Sequence, residues 1–326
     1  MLISHEFAPV VVCAADNRYA MPLAVMLRSL CDNAVKSDSI TVYVLDGGIS
    51  RRNRKRVEST VHGGKMNISW IKTNNAVLAE MPVFGHVSIC TYYRLLVPKL
   101  LPETVTYVLY LDVDILVTGD ISDLWNARRL DLALMASPHQ TIVIADCFNL
   151  PAVFAHIPNP TIRKYFNAGV LGLNVAEWRR EGIGKKVINF LEEKRDQVIF
   201  WDQDGLNAVL WDDWAELDEG WNMPVDLATP ERISPEILVH KGILHFASAC
   251  KPWHYGHEHP VVKLYFDYLD RTCWKGWRPK HPWLLDVRRK IVGKVVNKYT
   301  YGALIRKIPI VADVWIYVRS HKSKHI

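Results

Sequence analysis

The chain has 326 residues, of which 49% are hydrophobic and 23% are charged, and this balance predicts one large folded α/β domain with an appended segment, not a disordered chain. The net charge of +6 is unevenly divided: the 13 Lys and Arg residues from Lys275 onward exceed the two acids there by 11, which leaves −5 on residues 1–274. An acidic body without a nucleic-acid-binding motif argues against nucleic acid as a partner.

The chain contains six cysteines: Cys13, Cys31, Cys90, Cys147, Cys250 and Cys273. They are scattered without a CxxC pair, which indicates reduced thiols and a cytoplasmic location. The first residues, MLISHEFAPVVVCAADN, lack the basic start of a signal peptide. No window approaches the roughly 18 uncharged apolar residues that a membrane span needs, so we expect a soluble or peripheral protein.

The first part of the chain alternates between predicted strands and helices. Residues 9–15 form a short apolar strand, and a polar turn at Asp16 leads into a helix over residues 21–30. The next predicted elements are a strand over residues 39–45, a basic helix over 50–61 that Ser50 caps, and a strand over 67–71. This order is typical of a nucleotide-binding α/β half. The absence of GxGxxG and GxxxxGK[ST] argues against dinucleotide and P-loop binding.

Residues 88–97 are predicted to be helical and carry Arg94 among apolar neighbours. The central element follows at residues 105–117, VTYVLYLDVDILV, which we predict to be one strand buried on both faces. Asp112 and Asp114 interrupt its apolar run, and in an extended backbone their side chains leave on the same side. The carboxyl end of a central strand is where open α/β sheets bind ligands, and a divalent cation would offset the repulsion between two carboxylates. The alternative is a pair of surface acids.

The second half is predicted to supply further residues at strand and helix ends. Residues 131–136 are predicted to form an edge strand, and residues 137–165 a loop able to cover a site. The segment FNAG ends in Gly169, which permits either a tight turn or close approach to a ligand. The acids of DQDGLN lie in the first turn of a predicted helix, where they would act either as helix caps or as ligands. His245 lies on a short predicted strand, where a lone histidine is usually a core residue. If it instead meets Asp112 and Asp114, the two carboxylates and the imidazole form a set of ligands that suits Mn²⁺.

Six ordered segments carry a resemblance: AADNRYA, TYYRLLVPKLLP, LYLDVDILVTGDISDLW, FNAGVLGLN, WDQDGLN and HFASACKPWHYG. Together they resemble glycosyltransferase family 8, the retaining sugar-nucleotide transferases that include bacterial lipopolysaccharide α-galactosyl- and α-glucosyltransferases and, more distantly, glycogenin. The resemblance runs from about residue 10 to about residue 256. It implies a GT-A fold, in which helices flank a Rossmann-like mixed sheet that holds UDP and a divalent metal.

The resemblance also implies ligands and residue roles. The metal would be Mn²⁺, with Mg²⁺ as the alternative, and its ligands would be Asp112, Asp114 and His245. The donor would be UDP-galactose or UDP-glucose and the acceptor a glycan or glycolipid. The positions that match donor-binding residues are Asp16, Asn17, His86, Arg94, Asn167, Asp202 and Lys251. Gln203 and Asp202 would orient and stabilise the sugar in the catalytic step.

Retention of configuration leaves two mechanisms open. Gln203 is a poor nucleophile, which favours attack from the same face as departure; a covalent role for Asp202 or Asp204 is the alternative. Three positions depart from the family pattern: Arg18 near the nucleoside, Ser248 in the HFxG segment, and residues 136–140, which lack an acid that some members use on the sugar.

The division of charge predicts a transferase domain over residues 1–274 and a basic segment over 275–326. Residues 283–299 place apolar side chains at helical spacing between basic ones, which favours a helix on an anionic membrane surface. The alternative is a helix packed on the body. Two rival functions remain: a haloacid-dehalogenase-like phosphatase with Asp112 as nucleophile, and a sugar-nucleotide-binding protein without catalysis.

Overall fold

The structure is a computed structural model that describes residues 8–83, 87–143 and 153–280. Its centre is a seven-stranded sheet in the order β3-β2-β1-β4-β7-β6-β8. The strands of this sheet are β1 Val10–Ala15, β2 Ile40–Asp46, β3 Met66–Lys72, β4 Tyr107–Leu111, β6 Leu134–Val143, β7 Lys164–Asn174 and β8 Trp214–Glu216. Strands β3, β2, β1 and β4 run parallel, whereas β7 is antiparallel to both of its neighbours. The predicted mixed α/β sheet is therefore confirmed.

Helices cover both faces of this sheet. They are α1 Ala20–Asn33, α2 Arg51–Thr60, α3 Val97–Leu100, α4 Ile121–Asn126, α5 Val175–Glu181, α6 Ile183–Glu193, α7 Trp201–Val209 and α8 Pro260–Leu269. Strand β1 shows the double burial: Val11 and Cys13 pack into the core beneath α1 and α8, and Val12 packs into the core on the opposite face. Burial on both faces explains why the central strands read as continuous apolar runs.

The central strand departs from the prediction, because residues 105–117 form two strands. β4 ends at Leu111, and β5, Ile115–Val117, pairs with β10, Ile243–His245, in a separate three-stranded sheet with β9, Met223–Pro224. The chain changes sheets at residues 112–114, because two carboxylates cannot be buried unpaired in a sheet that is apolar on both faces.

The predicted edge strand and covering loop are also wrong in part. β6 begins at Leu134, continues to Val143 and lies inside the sheet between β7 and β8, so β8 is the edge. The pairing register of β6 with β7 shifts on both sides of Pro138. Proline is tolerated in strands at such irregularities, which conceals the strand in the sequence.

Two local predictions, the Ser50 cap and the helical segment around Arg94, are confirmed. The Oγ of Ser50 accepts a hydrogen bond from the N–H of Asn53 at 3.2 Å and so caps α2. The helical segment around Arg94 is a 3₁₀-helix, Ile89–Leu96, that continues into α3.

Within the described ranges, no helix has the length and apolar character to cross a membrane. The predicted amphipathic helix over residues 283–299, and Cys147, lie outside the described residues.

The contact between α6 and the 3₁₀-helix positions Arg94, and it depends on Gly184. A Cβ on Gly184 would overlap the carbonyl oxygen of Leu95, so the two backbones approach more closely than any other residue allows.

We expect Gly184→Ala to lower the free energy of unfolding by about 1–3 kcal/mol, because overpacking outweighs the better helix propensity of alanine. Denaturant unfolding measures the change, with Lys185→Ala at the adjacent exposed position as control. A midpoint for Gly184→Ala equal to that of the control would contradict the close contact.

Candidate active site

A cavity of about 1040 Å³ opens where the chain passes from the large sheet to the small one. Asp112, Asp114 and His245 all line it, and one ligand atom from each lies within 4.8 Å of the others. Asp112 follows β4, Asp114 precedes β5, and His245 is the last residue of β10. The pairing of β5 with β10 therefore brings together three residues whose atoms can hold a metal ion.

The His245 ring is oriented by residues behind it. Its Nδ1 lies 2.8 Å from the Oδ1 of Asn222, whose Nδ2 donates to the Oδ1 of Asn167 at 2.9 Å. The Nε2 faces Asp114, with 3.5 Å between it and Oδ1. A hydrogen bond on one ring nitrogen is the usual way in which a protein fixes a histidine ligand for a metal. The sequence gives no sign of Asn222, because only the fold brings its segment beside β10.

Gly169 provides the space that the imidazole occupies. A Cβ on Gly169 would overlap Cε1 of His245, and the carbonyl oxygen of Gly169 accepts from the N–H of Asp112 at 2.8 Å. The close approach predicted for this glycine is therefore an approach to a protein side chain at the site.

Buried cations pair with both aspartates. Arg94, 3% exposed, places its Nη2 2.8 Å from Asp112 and its Nε 2.9 Å from Asp202. Lys251, 2% exposed, donates to Asp114 and to the carbonyl of Phe246, both at 2.6 Å. Burial of these charges requires such partners, so the position of each cation depends on the carboxylates that it pairs with.

The two aspartates differ in their pKa values. Burial raises the pKa of Asp112 to about 6, and the charge of Asp114 adds to this rise although Arg94 opposes it. Burial acts in the same direction on Asp114, but Lys251 and His245 together hold the pKa of that carboxyl well below its usual range. Burial also raises the pKa of Asp202. Asp114 is therefore the permanently charged member of the pair.

The segment from Phe200 to Gln203 forms another wall of the cavity, and Asp204 follows it. Trp201 has a left-handed backbone, with φ of 49°, at the start of α7. The Oε1 of Gln203 accepts from the N–H of Ala168 at 2.9 Å, and its Nε2 donates to the hydroxyl of Tyr165 at 3.2 Å. Asp204 is fully buried and accepts from two backbone N–H groups, which makes it a structural cap for this turn.

Asp16 and Asn17, both predicted to bind the donor, face different surroundings. Asp16 lines the cavity and accepts from the guanidinium of Arg18 at 2.9 Å. Asn17 lies outside the cavity lining, and its Oδ1 accepts from the Ser50 N–H and the Asn53 side chain. Its described contacts join the start of α1 to α2. His86 lies outside the described residues.

Two of the predicted departures from the family pattern also line the cavity. They are Ser248 and His139, which belongs to the stretch 136–140 that lacks an acid used by some family members on the sugar. Burial lowers the pKa of His139, which favours a neutral imidazole at this wall.

The sequence profile described as "Glycosyl transferase family 8" matches residues 10–256. The chain belongs to glycosyl transferase family 8. The match includes all of the described cavity residues named above. The resemblance drawn from the six sequence segments is confirmed.

Relatives of this family 8 chain include transferases with known sugars. General stress protein A of Bacillus subtilis (strain 168) is 33% identical over 281 residues, 82% of this chain and 95% of that protein. The lipopolysaccharide 1,2-glucosyltransferase of Escherichia coli (strain K12) is 25% identical over 276 residues, 83% of this chain and 80% of that protein. The crystal structure of galactosyltransferase LgtC with donor and acceptor sugar analogs has a TM-score of 0.69 and 28% identity over 81% of this chain and 96% of that chain. The likeness to such neighbours confirms the GT-A fold.

The close contact at Gly169 leads to a first test of the site. We expect Gly169→Ala to lower the affinity for Mn²⁺ roughly tenfold or more, because the added methyl displaces the His245 ring and the loss should resemble that of an orienting partner. Titration with Mn²⁺ measures the loss, and His245→Ala gives the reference for a missing ligand. Unchanged affinity in Gly169→Ala would mean that His245 does not bind the ion.

The raised pKa of Asp112 leads to a test of stability against pH. The folded pKa of about 6 exceeds the ordinary value of 3.8, so between these values the folded state binds the extra proton, and this group's contribution to stability falls as pH rises. We therefore compare the free energies of unfolding of Asp112→Asn and the parent chain in the presence of chelator. As pH rises from 4 to 7, we expect the value for Asp112→Asn to increase by roughly 1–3 kcal/mol relative to that of the parent chain.

Denaturant unfolding at several pH values measures this difference, with Asp212→Asn at an exposed position as control. A difference between Asp112→Asn and the parent chain that does not change with pH would contradict a raised pKa.

Proposed function

We propose that this chain is a retaining hexosyltransferase that moves galactose or glucose from a UDP-sugar to a glycan or glycolipid acceptor. The observation that carries the proposal is the convergence of Asp112, Asp114 and His245 on one wall of the large cavity. Family membership and the names of the relatives, a glucosyltransferase and a galactosyltransferase, support the donor class.

The ligand atoms that Asp112, Asp114 and His245 offer fit a divalent metal ion. Two carboxylates and one imidazole suit Mn²⁺, with Mg²⁺ as the alternative, and Asn222 supports the imidazole from behind. When bound, the ion would act as a Lewis acid that stabilises the charge on the departing diphosphate.

Lys251 and Arg94 place cationic side chains at the same wall. Both are almost fully buried, where a charge acts more strongly on a ligand than it would in water. Lys251 would stabilise the leaving diphosphate, and Arg94, which pairs with Asp112 and Asp202, would hold both carboxylates in position near the donor sugar. Asp16 and Asn167 would bind the nucleoside and the sugar at the two ends of the donor.

The contacts of the carboxylates favour attack from the same face as departure. Asp204 is engaged by backbone N–H groups and by Tyr165. Both oxygens of Asp202 contact a partner, Thr91 at 2.7 Å and Arg94 at 2.9 Å. Neither is therefore free to act as a nucleophile without rearrangement. The acceptor oxygen would attack the anomeric carbon while its proton passes to the departing phosphate, and Gln203 would stabilise the oxocarbenium-like state.

The proposal extends to the acceptor and the cellular location. The Escherichia coli relative, a lipopolysaccharide 1,2-glucosyltransferase, supports a lipopolysaccharide-like glycolipid acceptor. We place the transferase in residues 1–274 and assign the basic segment, residues 275–326, to peripheral contact with the anionic cytoplasmic face of a membrane. Family membership gives no support to the phosphatase alternative.

The decisive experiment is UDP release from a panel of UDP-sugars, with Mn²⁺ and with chelator. We expect metal-dependent release from UDP-galactose or UDP-glucose, and a loss of roughly 100-fold or more in Asp114→Ala, because its charge and ligand atom both disappear. The exposed Asp212→Ala serves as the matched control.

Full activity of Asp114→Ala, or release that chelator leaves unchanged, would overturn the metal-dependent mechanism. Binding of UDP without turnover across a panel of donors and acceptors would favour the non-catalytic alternative.

A further inference from the structure

A second cavity, of about 600 Å³, lies beside the active-site cavity without sharing a lining residue with it. It is enclosed by the start of α1, part of α2 and the turn over residues 273–277. Its charged lining residues are Arg18, Arg56 and Lys275, and its aromatic ones are Trp274 and Trp277. None of the described residues that line it is acidic. The cavity therefore combines concentrated positive charge with two indole rings.

The charge of Arg56 is held in place without a carboxylate. Its guanidinium lies 3.8 Å from the ring centre of Trp274, and its Nη2 donates to the carbonyl of Cys273 at 2.7 Å. Stacking on an indole face orients a guanidinium while leaving its charge uncompensated. Burial, with a smaller contribution from the neighbouring charge of Arg52, lowers the pKa of Arg56.

The nearby acids already have other partners. Asp270 pairs with Arg278 at 2.7 Å and accepts from the N–H of Gly276 at 2.9 Å. Asp16 pairs with Arg18 and lines the other cavity. Across residues 8–83, 87–143 and 153–280, neither Arg56 nor Lys275 forms an ion pair. The charge of Asp270 reaches Lys275 without forming an ion pair with it. Two cations that line one cavity without an ion pair of their own would gain from an anionic ligand.

We propose that this second cavity binds a phosphate ester, which Arg56 and Lys275 hold from two sides. The guanidinium fork matches phosphate oxygens, and the ammonium supplies a compact second charge. Trp277 also lines the cavity and is 38% exposed. Tryptophan is amphipathic and is enriched at the level of lipid head groups in membranes. Lys275 is also where the basic segment begins, so the cavity lies at the root of that segment.

A phosphate ester can come from a phospholipid head group or from a soluble metabolite, and the same two cations would bind either. The inference does not rest on the proposed transferase activity, because none of the cavity residues used here belongs to the proposed metal or donor-sugar set. Binding can therefore be measured without UDP-sugar turnover.

The experiment uses the full chain and two probes, glycerol 3-phosphate in solution and vesicles of phosphatidylcholine with or without phosphatidylglycerol. The test pair is Arg56→Gln with Lys275→Gln. The matched control is Arg51→Gln with Lys55→Gln. It removes two exposed cations of α2, the helix that carries Arg56, and neither of them lines the cavity. Lys275→Gln alone and the charge-conserving Arg56→Lys cover the case in which loss of Arg56 impairs folding.

We expect the test pair to weaken binding of glycerol 3-phosphate roughly fivefold or more, through loss of charge-assisted contacts, while the control pair changes it less than about twofold. A matching selective loss of binding to phosphatidylglycerol vesicles would identify the lipid as the source. Loss with the soluble probe alone would identify a free phosphate ester.

Two results would overturn the proposal. One is the absence of saturable binding of either probe by the parent chain. The other is equal weakening by the test and control pairs, which would reduce the cavity to part of a diffuse basic surface.

Discussion

The structure depends on one constraint: two carboxylates cannot continue a strand that is buried on both faces. β4 is apolar and covered by helices on either side, and it ends at Leu111, directly before Asp112. The chain leaves the large sheet and starts a second one with β5. Because β5 pairs with β10, the same break that expels the aspartates also brings His245 to them. The fold and the site have one common origin.

The charges of the site form one connected set. Arg94 joins Asp112 to Asp202, and Lys251 holds Asp114. Each cation is buried and each carboxylate borders the cavity, so removal of Arg94 or Lys251 would take away the paired cation of at least one carboxylate. Burial raises the pKa of both aspartates, but Arg94 is shared between Asp112 and Asp202, whereas Lys251 and His245 both act on Asp114. The two pKa values therefore move in opposite directions.

Much of this arrangement follows from the sequence, and the exceptions have physical causes. The apolar runs at β1 and β4 and the Ser50 cap are encoded locally and predict elements of the fold. The ordered family segments single out Asp112, Asp114 and His245, and in the structure these three residues converge at the cavity. Two features are not local. The strand break at residues 112–114 depends on the pairing of β5 with β10, and β6 is concealed by Pro138, where its register with β7 shifts.

The supporting residues were the hardest to predict. Asn222 orients His245 and Tyr165 orients Gln203 through contacts between segments that are distant in the chain. Asn17 matches a donor-binding position in the family, but its described contacts join α1 to α2. A motif match identifies a residue, and the fold decides which of its neighbours it meets.

The separation of the site residues along the chain has a consequence for synthesis. Lys251 and Asp114 lie 137 residues apart, and β10 enters its sheet only after all seven strands of the large one have been made. Contacts between such distant segments form late, since the intervening chain must first be ordered. During translation the large sheet can therefore assemble before its active site exists. A ribosome-bound chain that stops before residue 243 would carry the acidic pair without the histidine and lysine that complete it.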